Sequence, residues 1–289
     1  MFYESDDREL LTLRETVKSE PTFSIIIPAF NEECRIVKTL SEWKSFLDTH
    51  FPGDYEILVI MDGCTDRTPE IVLDFARDDN SVIPLIYPKR LGKGGALYEA
   101  FRKAGGHFIF FTDADNSLPV TEFLKFIKAL KVSDLVIGCR YWRGAPFISS
   151  LPLQRLLLSR AFNALLHIFF KKMKGIYDTQ CGAKALRKSV FLAIKDDLFI
   201  FDFAFDVNLI YSALQKGFTV KSVYVDWFHF EEDSKVSGLY WRISLKMFLS
   251  ILKLRIYYSR LRKMLYSHRF KNLLRFLLRF LYEDSVVQP

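Results

Sequence analysis

Short apolar runs alternating with longer mixed stretches set the rhythm of the first half of this chain. Phe23–Pro28 (FSIIIP) and Tyr55–Met61 (YEILVIM) are continuous aliphatic runs, the pattern of strands covered on both faces of a sheet. Val82–Tyr87, His107–Thr112 and Asp134–Cys139 read as three further strands. Helices are predicted between them over 32–49, 65–79, 96–104 and 119–131. Asn31 is the predicted N-cap of the first, with Glu32 and Glu33 in its first turn, and Pro69 sits in the first turn of the second. This alternation predicts an α/β fold, with a mainly parallel sheet flanked by helices on both faces.

After Gly144 the rhythm changes. A long amphipathic helix is predicted over Leu151–Lys171, then a polar loop over 175–184, a helix over Phe205–Lys216 and an extended segment over Phe218–Trp227. The α/β pattern gives way near Ser234–Gly238, and from Leu239 to Tyr282 apolar and basic residues interleave. Three parts result: a solvated lead-in (1–21), one α/β domain (22–236) and a basic amphipathic tail (237–289).

Charge sharpens that division. The chain carries a net +7, but residues 240–282 hold eleven Lys and Arg and no acid, so the remainder sums to −4. Such a tail predicts amphipathic helices on an anionic membrane surface, each basic residue contributing on the order of 1 kcal/mol. The alternative is helices packed on the domain with a basic outer face. Nucleic acid is not an expected partner, because the domain itself is not basic. No stretch reaches the 18 or so uncharged apolar residues of a spanning helix, and the acidic start MFYESDDREL does not read as a signal peptide. Cys34, Cys64, Cys139 and Cys181 are scattered, which argues against a disulfide scaffold or structural zinc and for a reducing compartment.

The chemistry lies where strands end. In an open parallel sheet the ligand crevice lies beyond the carboxyl ends of the strands, and four polar signals fall there: Pro28-Ala-Phe-Asn-Glu32, Asp62-Gly-Cys-Thr-Asp66, Asp113-Ala-Asp115 and Gly138-Cys-Arg140. Asp113 and Asp115, one residue apart in extended chain, share a face. Two hard oxygen donors there suit Mg²⁺ or Mn²⁺ that also holds phosphates, although a lone D-x-D can be a polar turn. Pro28 to Glu32 can wall a flat base, and Asp62 can accept from a base N–H or a ribose hydroxyl. Arg90-Leu-Gly-Lys93-Gly-Gly puts two cations and three glycines before a helix start, either as a diphosphate loop or as a solvated turn. It has neither P-loop nor dinucleotide-fingerprint spacing.

These motifs, with RLGKGGAL (90–97), TDADNS (112–117), DTQCGAKAL (178–186), FAFDVNLI (203–210) and VDWFHFEEDSKV (225–236), resemble the inverting nucleotide-sugar glycosyltransferases of the A-type (GT-A) fold. The resemblance is to the polyprenyl-phosphate sugar synthases and within them to the dolichyl-phosphate β-glucosyltransferase branch. It implies that Pro28, Phe30, Glu32 and Asp62 bind the nucleoside, and that Lys93, Ala114 and Lys235 join Asp113 and Asp115 around the nucleotide sugar. Asp113 and Asp115 would hold Mg²⁺ or Mn²⁺, and Arg140, Arg155 and Ser159 the acceptor phosphate. Asp113, Asp115 and Arg140 form the expected catalytic set, with Asp178 and Asp206 outside it as supports.

The implied reaction is metal-dependent transfer of glucose from UDP-glucose to dolichyl or another polyprenyl phosphate, with a β-linked product. The expected location is the cytoplasmic face of a membrane, peripherally bound: the ER membrane in a eukaryote, the plasma membrane in a prokaryote. The related mannosyl enzymes carry Gln two residues after the second Asp, where this chain has Ser117. Alternatives are GDP-mannose or UDP-GlcNAc as donor, a soluble acceptor, or a non-catalytic membrane-associated scaffold.

Overall fold

The computed structural model describes residues 21–77, 79–140, 162–228 and 240–266. Its seven strands are β1 (Phe23–Ala29), β2 (Tyr55–Asp62), β3 (Val82–Tyr87), β4 (Phe108–Phe111), β5 (Leu135–Cys139), β6 (Lys184–Arg187) and β7 (Val220–Tyr224). They form one sheet in the order β3-β2-β1-β4-β6-β5-β7. All neighbours run parallel except β6, which is antiparallel to both β4 and β5. The helices are α1 (Ile36–His50), α2 (Thr68–Ala76), α3 (Lys93–Lys103), α4 (Phe123–Leu130), α5 (162–169), α6 (Lys188–Ile194), α7 (Phe205–Gln215) and α8 (Tyr240–Tyr257).

The β1 sequence explains the layering. Ile25, Ile26 and Ile27 are all fully buried because successive side chains enter opposite cores. Ile25 and Ile27 pack with Trp43 and Phe46 of α1 and Phe123 of α4. Ile26 joins Leu97 and Phe101 of α3 and Phe205 of α7 on the other face. Each such burial is worth about 1.5–3 kcal/mol, so a strand coated on both sides needs a continuous apolar run. Part of the phenylalanine content is accounted for here: the rings of Phe23, Phe51, Phe110 and Phe126 meet Phe123 or its neighbours edge-on, as in the Phe110–Phe123 pair at 5.0 Å.

Several predicted boundaries shift. Asn31 is not an N-cap: α1 begins at Ile36, and Asn31 sits at φ 56° with its side chain tied to Thr65. Glu32 and Glu33 therefore precede the helix rather than occupying its first turn. α2 is shorter than 65–79, because Thr65 and Asp66 bind the Asn31–Glu33 segment instead of entering the helix. α3 begins at Lys93, three residues early, taking Gly94 and Gly95 into its first turn. The polar loop over 175–184 runs directly into β6, which was not predicted.

The basic segment begins on the domain. In α8, Ile251 and Leu254 are fully buried in the core shared with α7. Ser250 Oγ donates to Asp202 (2.7 Å), and Tyr257 OH donates to Asp197 (2.8 Å). Arg255, Arg260, Arg262 and Lys263 are exposed. One face of this helix is thus taken up by protein; Lys253 is half-buried with its ammonium 5.1 Å from the Phe199 ring, while Arg255 and the basic residues that follow the helix are exposed. Among the described residues no helix is long and apolar enough to cross a membrane. The lead-in, residues 151–161 of the predicted long helix and the tail beyond 266 lie outside the described residues.

Candidate active site

The strand order places the site. The chain builds β1, β2 and β3 outward in one direction, then returns to lay β4 on the other side of β1. That reversal opens a crevice beyond the carboxyl ends of β1 and β4. Thr112 N donates to Ile26 O at 3.0 Å, tying the two strands at its floor. Because β6 runs backwards, its first residues also arrive at this edge, with Lys184 paired to Phe111.

Asp113 and Asp115 leave β4 into this crevice. Ala114 between them is 5% exposed, and its carbonyl accepts Thr39 Oγ1 from α1 at 2.8 Å. This anchor turns the alanine side chain into the core and leaves the flanking carboxylates at the rim. Asp115 closes a tight turn by accepting Ser117 N at 3.0 Å. Asp113 is engaged on both sides: Lys93 Nζ lies 2.7 Å from Oδ1, and Oδ2 faces Gly182. A Cβ at Gly182 would overlap the Asp113 carboxylate and crowd the Trp227 ring, so only glycine admits this approach. Burial works against the charge on Lys93, but Asp113, Asp206 and Asp115 outweigh it and hold its pKa above the usual lysine range.

The glycine loop is occupied by the protein itself. Leu91 N (2.5 Å) and Gly92 N (3.0 Å) donate to Asp62, and Gly94 N and Gly95 N donate to Phe201 O. These four amides are therefore engaged within the protein. A Cβ at Gly94 would strike Phe205 and the Phe201 backbone, which explains the glycine at that position. What the loop does present to the crevice is the Lys93 side chain.

On the nucleoside side, Asp62 is buried and organises the 90–92 loop. The Arg90 guanidinium lies 3.5 Å from the Phe30 ring centroid, a cation–π stack beyond the end of β1. Glu32 pairs with Arg35, and its amide donates to Thr68 Oγ1. Pro28 is half-buried in β1. On the opposite side, Asp178 receives Nε (2.8 Å) and Nη2 (2.9 Å) of Arg140 and also its backbone N–H. This bidentate grip fixes the guanidinium plane, and Trp227 lies 5.5 Å away. Asp178 is 2% exposed. With both its oxygens occupied it serves as the support for Arg140.

Behind this rim sits a second pair. Lys184 is fully buried and lies 2.7 Å from Asp206 Oδ1, close enough for an ion pair, while its directed hydrogen bond goes to Cys181 O at 2.6 Å. Burial, with Asp178 nearby, pushes the Cys181 thiol up to about 12, so it remains a neutral filler. Lys184, Gly182 and Trp227 were not singled out from the sequence. All three lie within motifs quoted for the resemblance, Gly182 and Lys184 in DTQCGAKAL (178–186) and Trp227 in VDWFHFEEDSKV (225–236), but none was given a role there. Of the expected site residues, Arg155, Ser159 and Lys235 lie outside the described residues.

The carboxylate pair fits a divalent ion by its donor chemistry. Among the described residues no three acidic, histidine or cysteine side chains converge, so Asp113 and Asp115 are the two hard oxygen donors that would have to hold it. Mg²⁺ is bound in this manner.

Comparison with known proteins bears on the family and the fold. Residues 24–194 match Glycosyl transferase family 2. The chain is 31% identical over 207 residues to "Glycosyltransferase AglD" of Haloferax volcanii, a match covering 71% of this chain and 32% of that longer protein. It is 30% identical over 219 residues to "Dolichyl-phosphate beta-glucosyltransferase" of Drosophila melanogaster, covering 71% and 66%. Against the Homo sapiens protein of the same name it is 29% identical over 265 residues, covering 85% and 80%. The crystal structure of glucosyl-3-phosphoglycerate synthase from Mycobacterium tuberculosis with UDP shares the fold at a TM-score of 0.60. Sequence identity there is 17%, over 81% of this chain and 80% of the other.

Proposed function

The chain belongs to glycosyl transferase family 2, and from that premise we propose that it transfers glucose from UDP-glucose to dolichyl or another polyprenyl phosphate, giving a β-linked lipid-phosphate sugar. Support for the acceptor class comes from the dolichyl-phosphate β-glucosyltransferases among its relatives. The observation that carries the reading is the juxtaposition, at one crevice, of Asp113 and Lys93 with Gly182 and Trp227, the latter beside the clamped Arg140.

In this reading the donor lies along the ends of β1, β2 and β4. Phe30, Asp62 and the 28–32 wall take the nucleoside, and Lys93 and Lys235 take the diphosphate. Asp113 and Asp115 would hold Mg²⁺ or Mn²⁺, which when bound would supply charge neutralisation for the diphosphate leaving group. A phosphate monoester has its second pKa at about 6 and is largely dianionic at neutral pH, so the acceptor needs no general base. Arg140, its plane set by Asp178, orients that acceptor with Arg155 and Ser159, and alignment does most of the work. In-line attack on an α-linked donor inverts the anomeric centre. Arg255, the exposed basic residues that follow α8 and the tail beyond them hold the enzyme peripherally on an anionic membrane surface, at the cytoplasmic face where nucleotide sugars are met.

The test offers radiolabelled UDP-glucose, GDP-mannose and UDP-GlcNAc with polyprenyl phosphate to the full chain. Label from UDP-glucose should enter an organic-extractable, mild-acid-labile product, and should fail to do so with chelator or in Asp115→Ala. Label entering only from another donor, or only a water-soluble acceptor, would overturn the assignment.

A further inference from the structure

The cation already present at the carboxylate rim is Lys93. Its ammonium sits 2.7 Å from Asp113 Oδ1, while the other oxygen is pressed against Gly182. A divalent ion approaching Asp113 therefore meets a positive charge already in place. The backbone beneath Lys93 is pinned, since Gly94 N and Gly95 N bind Phe201 O and Gly92 N binds Asp62. The side chain is not pinned in the same way. It keeps 23% exposure at the crevice, and its stem is four flexible carbons. The surrounding charges are Lys93 and Lys184 against Asp113, Asp115 and Asp206. Adding a dication without an anion would leave this cluster with excess positive charge, whereas a dication together with a diphosphate would not.

We propose that Lys93 is an internal counter-ion for Asp113 that exchanges partners. It holds the carboxylate when donor is absent, and swings onto the diphosphate when a divalent ion takes its place. This rests on the reading above that a nucleoside diphosphate binds at this crevice. It makes ion and nucleotide obligate companions. Alone, the ion must displace an ammonium that has nowhere better to go; with nucleotide present, the ammonium gains a new anionic partner. A site of this design discriminates against metal loading before the donor arrives.

The test measures free Mn²⁺ by electron paramagnetic resonance while the full chain is titrated, with and without UDP, for wild type, Lys93→Met and Lys93→Gln. Lys93→Gln retains a hydrogen-bond donor for Asp113, which guards against loss of the fold in Lys93→Met, and thermal melting reports whether each variant is folded. In wild type, UDP should raise Mn²⁺ affinity by about tenfold or more, within the usual range for coupled sites. Removing the charge should tighten Mn²⁺ binding to the nucleotide-free protein by a similar factor and shrink the gain from UDP. If wild type binds Mn²⁺ with UDP but neither folded variant binds Mn²⁺ more tightly without it, the exchange is wrong while the donor site stands. If wild type binds no Mn²⁺ even with UDP, both the donor site and the exchange fall.

Discussion

Two lysine–aspartate pairs stand close together in this protein with the same separation, 2.7 Å, and opposite settings. Lys93–Asp113 lies at the rim of the crevice, with its side chains 23% and 30% exposed. Lys184–Asp206 lies behind it at 0% and 5%. Distance alone would rank them equal. Burial separates them: charges sealed from water cannot change partners without a desolvation cost of several kcal/mol, whereas charges at a wet edge can. The inner pair is therefore a fixture that holds β6 and α7 in register with Phe111, and the outer pair is the part that can respond to a ligand.

Substitutions can break this contrast, and the largest effect is expected at the inner pair. Asp206→Leu should destabilise the protein by about 3–5 kcal/mol in urea unfolding, because it strands the Lys184 ammonium in the core. Adding Lys184→Met to it should restore much of that loss, since two apolar residues leave no orphan charge. If the single substitution costs no more than a surface change, the pair is not sealed as described.

Gly182→Ala comes next. Its Cβ would overlap the Asp113 carboxylate, and overpacking of this kind costs about 1–3 kcal/mol. Because the side chain pushed aside is Asp113, nucleotide binding in the presence of Mn²⁺ should fall further than the melting temperature suggests. Normal nucleotide binding would refute the close approach of Gly182 to the carboxylate.

Ser250→Ala removes the hydrogen bond from α8 to Asp202, beside the Phe201 carbonyl that caps α3. A loss of about 1 kcal/mol is expected by thermal or urea unfolding. An unchanged stability would mean that the Ser250–Asp202 bond adds nothing to what Ile251, Leu254 and the Tyr257–Asp197 bond already supply.

Lys93→Met should cost much less stability than Asp206→Leu, because both side chains of its pair keep partial exposure at the crevice. A loss as large as that of Asp206→Leu would erase the contrast between rim and interior.

The sequence made the donor half of the fold legible for a simple reason. Strands buried on both faces must be continuous apolar runs, so β1 and β2 declare themselves in FSIIIP and YEILVIM, and the polar residues that follow mark the crevice. What stayed hidden was whatever depended on a partner distant in sequence. β6 is only four residues long and begins with a lysine, so Lys184 reads as loop until Asp206 arrives to neutralise it. Asn31 has the chemistry of a helix cap but bonds to Thr65 instead, 34 residues away. The glycine loop has the composition of an anion cradle, yet its amides are taken by Asp62 and by a carbonyl from the 201 region. In the basic segment, the apolar face of α8 could serve a bilayer or a protein core equally well, and Ile251 and Leu254 found the core.

The central claim is that the carboxylates at the end of β4 hold a cation through which the protein binds a nucleoside diphosphate. Calorimetric titration of UDP into the full chain tests it most directly, with Mn²⁺ or with chelator, in wild type and in Asp115→Ala. UDP should bind wild type with Mn²⁺, lose that binding on chelation, and bind the variant about a hundredfold more weakly. Equal UDP affinity in all of these conditions would contradict the claim.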